Sequence, residues 1–211
     1  MKTFLIAATL MGGAAGIAHA APVTFDFLGG TGVQGAALDF TQGGLTAHVM
    51  PLVYSDAYRL DGQSRTLGHW SAGLGVRDAH DTDHRVDGSG DNNAILFAFA
   101  EEVTLLGASF TYADRNDHVE VFLMGGAAGP TARHSLGYEG SGSGAANTAL
   151  VDFTGDVLTS KWFALGATDH NDEWKLASLT VDVDVAAVPV PAAGLLLLAG
   201  LGGLAAARRR A

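Results

Sequence analysis

Hydrophobic and polar residues alternate with a period of two along much of the chain. Val23, Phe25 and Phe27 alternate with Thr24 and Asp26; Val119, Val121 and Leu123 with Glu120 and Phe122; Leu179, Val181, Val183 and Val185 with Thr180, Asp182 and Asp184. Successive side chains of a strand point to opposite faces, so this pattern predicts half-buried strands. Ala94 to Ala100 is uninterrupted apolar sequence of strand length, as expected for a strand in the middle of a sandwich. Pro51 has no N–H to give a ladder, so Leu45 to Tyr54 is expected as an edge strand or as two pieces. Glycine clusters (Gly29-Gly30, Gly43-Gly44, Gly125-Gly126, Gly137 to Gly144) punctuate these runs, and Gly140 to Gly144 reads as a flexible loop. No long amphipathic helix and no solenoid-length repeat interrupts them. Short strands with glycine turns predict an all-β body, an antiparallel β-sandwich of jelly-roll-like form.

The two ends of the chain follow other rules. Lys2, the apolar run Phe4 to Ile17 and the small-x-small triplet Ala18-His19-Ala20 have the order of a secretory signal peptide, residues 1–20, cut after Ala20. Residues 188–211 begin with Val188-Pro189-Val190-Pro191, continue from Ala192 to Ala207 without a charge, and close on Arg208, Arg209 and Arg210 before Ala211. Sixteen residues make a helix of about 24 Å, short for a bilayer core of about 30 Å. The proline motif lengthens the span if it sits in the interface, where a missing helix N–H is harmless. The arginines would hold the C-terminus in the cytoplasm and place everything before Val188 outside. Residues 21–187 then form one ectodomain of ordinary size.

A short proline motif, one hydrophobic segment and a terminal arginine cluster resemble the PEP-CTERM family of bacterial surface-sorting tails, in its Val-Pro-Leu-Pro-Ala variant, with Val190 in place of the leucine. Gly73-Leu74-Gly75-Val76, the stretch Val86 to Asn93 leading into Ile95 to Phe99, Val103-Thr104-Leu105, and Asp172 to Leu176 before Leu179 also look like segments of exported proteins of that family. The resemblance implies a jelly-roll ectodomain, processing by signal peptidase and by a membrane exosortase, and a role in surface or exopolysaccharide biology. The glutamate of Pro-Glu-Pro is missing here, which leaves the identity of the processing enzyme open.

Charge narrows the list of partners. Setting aside Lys2 and the three terminal arginines leaves eight basic against twenty-two acidic side chains, a body of about −14. Such a surface repels nucleic acid and anionic lipid headgroups, and it favours divalent cations. The chain has no cysteine, so disulfides, thiolate metal sites and a cysteine nucleophile are excluded.

Asp78, Asp81, Asp83, Asp87 and Asp91 crowd between residues 78 and 93 with His80, His84, Asn92 and Asn93. Hard oxygen donors at this density suit calcium. An EF-hand register from Asp87 fails, because Asn92 stands where the loop glycine belongs and Ala98 where the bidentate glutamate belongs. A calcium site would therefore draw on several loops, with Asp114, Asn116 and Asp117, or Asp169, Asn171 and Asp172, as co-donors. The plainer reading is solvated turns, since Asp and Asn bond their own backbone there. His80 and His84 offer a zinc or manganese reading; His48, His69, His118, His134 and His170 carry no signature.

Catalytic signatures are missing: no Gly-x-Ser-x-Gly elbow, no phosphate-binding glycine loop and no His-Glu-x-x-His. Glu101 and Glu102 are neighbours expected on opposite faces of a strand, read as a polar strand start, so they make a poor glycosidase pair. Trp70, Trp162 and Trp174 are expected as core or rim packing rather than sugar platforms. The sequence thus predicts an exported, non-enzymatic surface protein without a catalytic residue, with calcium as a candidate stiffener and glycan as a candidate associate. The alternatives are a secreted glycan hydrolase on a jelly roll and a permanently anchored single-pass envelope protein.

Overall fold

A computed structural model describes residues 21–54, 65–77, 84–90, 92–124, 131–136, 148–183 and 208. The signal-peptide segment and, apart from Arg208, the sorting tail lie outside the described residues, as do Asp78, His80, Asp81, Asp83, Asp91 and Val185. The compact body spans Ala20–Asp184. Among the described residues no helix is long and apolar enough to cross a membrane.

The body is all-β and every strand pairing is antiparallel. Its strands are β1 (Val23–Asp26), β2 (Val33–Gly35), β3 (Leu38–Gln42), β4 (Leu45–Tyr54), β5 (Thr66–Trp70), β6 (Gly73–Arg77) and β7 (Val86–Asp87). The later half of the chain adds β8 (Asn92–Thr111), β9 (His118–Leu123), β10 (Ala132–Ser135), β11 (Thr148–Asp152), β12 (Thr159–Gly166) and β13 (Glu173–Val183).

The organising element is β8, twenty residues long. Its first half, Asn92 to Ala98, lies between β4 and β12, with Phe97 opposite both Val49 and Phe163. Its second half, Val103 to Thr111, pairs along its length with β13, and its last five residues also carry β11. Between the halves Ala100, Glu101 and Glu102 are exposed, and the pairing with β12 shifts register between Ser160 and Trp162. From the first half the order runs outward through β4 to β3 and through β12 and β9 to β10. From the second half it runs through β13 to β6, β5 and β2, with β1 and β7 also on β13.

The larger core draws on most of the strands. Phe25, Phe27, Val49, Ile95, Phe97, Val121, Phe163, Leu176 and Leu179 are all buried in it. Phe97 lies 5.4 Å from Phe163 and 6.2 Å from Phe27, ring centre to ring centre, so it links residues of both strand groups. Alternation holds as expected in β1 and in β13 through Val183.

Two expectations need correction. In β9 Glu120 and Phe122 are as buried as Val119 and Val121, so this strand is covered on both faces. The reason is a second apolar cluster, Ala94, Leu96, Phe122 and Ala164 packed with Met50, Leu52 and Met124, on the opposite face of β4, β8, β12 and β9. Nor do Glu101 and Glu102 begin a strand; they sit mid-way along β8 on its exposed stretch. Pro51 lies within one continuous strand, but beyond Val49 β4 has only β8 as a partner among the described residues, so the proline falls on an edge.

Candidate functional site

Two turns at one end of the strands share a tetrapeptide. Asp114-Arg115-Asn116-Asp117 joins β8 to β9, and Asp169-His170-Asn171-Asp172 joins β12 to β13; both read Asp-x-Asn-Asp. In each turn the last aspartate accepts the amide of the first: Asp114 N–H to Asp117 Oδ2 at 2.5 Å, and Asp169 N–H to Asp172 Oδ2 at 3.0 Å. Each then reaches across to the other turn. Asp117 Oδ1 accepts the amide of Glu173 at 3.3 Å, and Asp172 Oδ1 accepts the amide of His118 at 2.9 Å. Both aspartates are buried, and their burial is tolerated because backbone donors satisfy them. The indole of Trp174, itself fully buried, fixes the same end by donating to the His118 carbonyl at 3.0 Å.

The loop after β7 closes over the second turn. Gly88 N–H donates to the Asp172 carbonyl at 3.0 Å, and a Cβ at Gly88 would fall on the carbonyl of Asp169. Asn93 bonds Asp87 through its side chain at 3.1 Å, and its carbonyl accepts the amide of Ala167 at 3.1 Å.

Charge is concentrated here. His118 Nδ1 lies 3.2 Å from Asp172 Oδ1 and 3.8 Å from Asp169 Oδ2. Two residues along β9, Glu120 is 1% exposed; its Oε1 accepts the Thr168 hydroxyl and lies 3.2 Å from Arg133 Nε. Arg133 also bonds Asp169 through Nη2, so one guanidinium bridges Glu120 and Asp169. Glu120 Oε2 is buried with no hydrogen-bond partner. Burial raises the pKa of Glu120; Thr168 and Arg133 oppose the shift, and Asp172 and Asp169 add to it. Asp117 is pushed up to about 6, first by burial and then by repulsion from Asp114 and Asp172, against the pull of its amide donors.

Of the expected calcium donors, Asp87, Asp114 and Asp117 are described, as are the co-donors Asn116, Asp169, Asn171 and Asp172. Asp87 is engaged with Asn93 and with the amide of Ser89, Asp114 with the amide of Asn116, and Asp117 with two backbone amides. Among the described residues the group with the spacing of a cation site is His118, Asp169 and Asp172, whose donor atoms all lie within 4.8 Å of one another. His118 and Glu120 were not legible as site residues. The repeated Asp-x-Asn-Asp was the available signal, since it marks two equivalent turns.

The other candidates separate. Trp174 is core; Trp70 stacks on His84 at 4.8 Å with the Lys175 ammonium 4.6 Å from its ring; Trp162 is half exposed. Glu101 and Glu102 both line one shallow depression of about 310 Å³ with Thr104, Thr159 and Lys161, beside the register shift in the pairing of β8 with β12. Comparison with known proteins finds no family model and no curated protein that matches the chain.

Proposed function

We propose that the chain is an exported, non-enzymatic cell-surface or extracellular-matrix protein whose body is a jelly-roll-like β-sandwich. The observation that carries this reading is where the compact body stops. It takes in Ala20–Asp184, and the segments that read as export signals fall outside it. The sandwich is supported by β8, whose first half pairs with β4 and whose second half pairs with β13, with β12 beside both, around a shared core. The body would be released outside the inner membrane by signal peptidase, held as a membrane-anchored precursor, and then cut near Val188 to Ala192 by an exosortase-type enzyme. Its acidic surface suits a matrix role beside exopolysaccharide rather than binding to nucleic acid.

A second reading, a secreted glycan hydrolase, gains one point of support: Glu101 and Glu102 share a depression. Replacing both by glutamine separates the two readings, because a hydrolase would lose glycan cleavage and a matrix module would have none to lose. Sorting is tested by replacing Pro189 and Pro191 with alanine. A cut tail predicts that this variant stays longer and membrane-retained; an unchanged mature mass would leave a permanently anchored envelope protein.

A further inference from the structure

We propose that His118, Asp169, Asp172 and Glu120 form a binding site for one first-row divalent transition ion of the zinc class. Two independent observations meet there. The first is spacing: the donor atoms of His118, Asp169 and Asp172 lie within 4.8 Å of one another, with His118 Nδ1 at 3.2 and 3.8 Å from the two carboxylates. An ion with bonds of about 2.0–2.2 Å brings adjacent donors to about 3 Å, so small side-chain movements close the set. The second is Glu120 Oε2, a carboxylate oxygen buried on a residue 1% exposed and without a partner. A buried acceptor left unmade costs stability. Glu120 stands beside that group: it projects from the same face of β9 as His118, bonds Thr168 next to Asp169, and shares the Arg133 guanidinium with Asp169.

The donor set decides the class of ion. Calcium takes oxygen ligands, six to eight of them, whereas an imidazole nitrogen with two or three carboxylates suits zinc or manganese. In the ion's absence the natural arrangement is His118 Nδ1–H donating to Asp172. An ion at Nδ1 takes the place of that proton, which the neutral ring then carries at Nε2. Arg133 holds Glu120 Oε1 and Asp169 Oδ2, and the Trp174 bond to the His118 carbonyl fixes the strand that carries the imidazole.

The test is calorimetry on the full-length protein in detergent, stripped with chelator and titrated with Zn²⁺ or with Ca²⁺. The expected result is one Zn²⁺ per chain and no comparable binding of Ca²⁺. H118N should abolish this binding, E120Q should weaken it roughly tenfold or more, and H84N should leave it unchanged. If H118N fails to fold, Co²⁺ loaded into the unaltered protein should give a hyperfine-shifted, exchangeable imidazole N–H resonance. Absent Zn²⁺ binding, Ca²⁺ bound in preference, Zn²⁺ binding undiminished in E120Q, or its loss in H84N would each overturn the proposal.

Discussion

Asp117 and Asp172 each hold the first amide of the strand that follows the other: Asp117 accepts from Glu173, and Asp172 from His118. This reciprocal clamp joins the start of β9 to the start of β13, although the two aspartates are far apart in sequence. Asp172→Ala would strip acceptors from the amides of His118 and Asp169 at once. The expected loss is about 2–5 kcal/mol, from two buried or half-buried donors at about 1–3 kcal/mol each, read as a lower midpoint in urea. With Asp117→Ala as the second arm, a double-mutant cycle should return a coupling of about 0.5–3 kcal/mol. Simple additivity would mean the turns are independent.

The clamp also carries a pH dependence. Burial sets the Asp117 pKa in the folded chain at about 6, above its ordinary value of 3.8. An acid that holds its proton more tightly when folded favours the folded state once protonated, and that contribution is lost as pH rises through about 6. Glu120 shifts in the same direction. In chelator, lowering the pH from about 7 to about 5 should therefore raise the melting temperature of the unaltered chain relative to Asp117→Asn. A difference that stays constant, or that shrinks on acidification, contradicts this assignment.

Gly88 is required by proximity. Any side chain there meets the carbonyl of Asp169, and the Gly88 amide is already committed to Asp172. Gly88→Ala should cost about 1–3 kcal/mol, the range for overpacking a fitted contact, seen as a lower thermal midpoint.

Phe97 tests whether one core serves both strand groups. It stacks on Phe163 and approaches Phe27. Phe97→Ala should cost about 3–5 kcal/mol, a large part of the total stability of about 5–15 kcal/mol for an ordinary domain. The unfolding transition of the body should move as one step. A split transition would mean that the halves of β8 serve separate cores.

Much of this architecture was legible from alternation, because Val23 to Phe27 and Leu179 to Val183 bury one face and obey a period of two. The long strand was not, since Glu101 and Glu102 look like an end when they are an exposed stretch inside it. Periodicity also misread β9, where an apolar layer covers the second face and buries Glu120 and Phe122. Pro51 was read correctly as an edge residue because its constraint is chemical rather than statistical. At the acidic end the sequence showed loop aspartates but not their partners. Which oxygen meets which amide depends on how two distant turns dock, and a lone His118 gives no pattern of its own.

Intact mass of the native protein, recovered separately from the membrane and from the surface or medium of its host, tests the account most directly. The account predicts a released species that begins at Ala21 and ends near Val188 to Ala192. A protein found in the membrane alone, with Arg208 to Ala211 still attached, would contradict it.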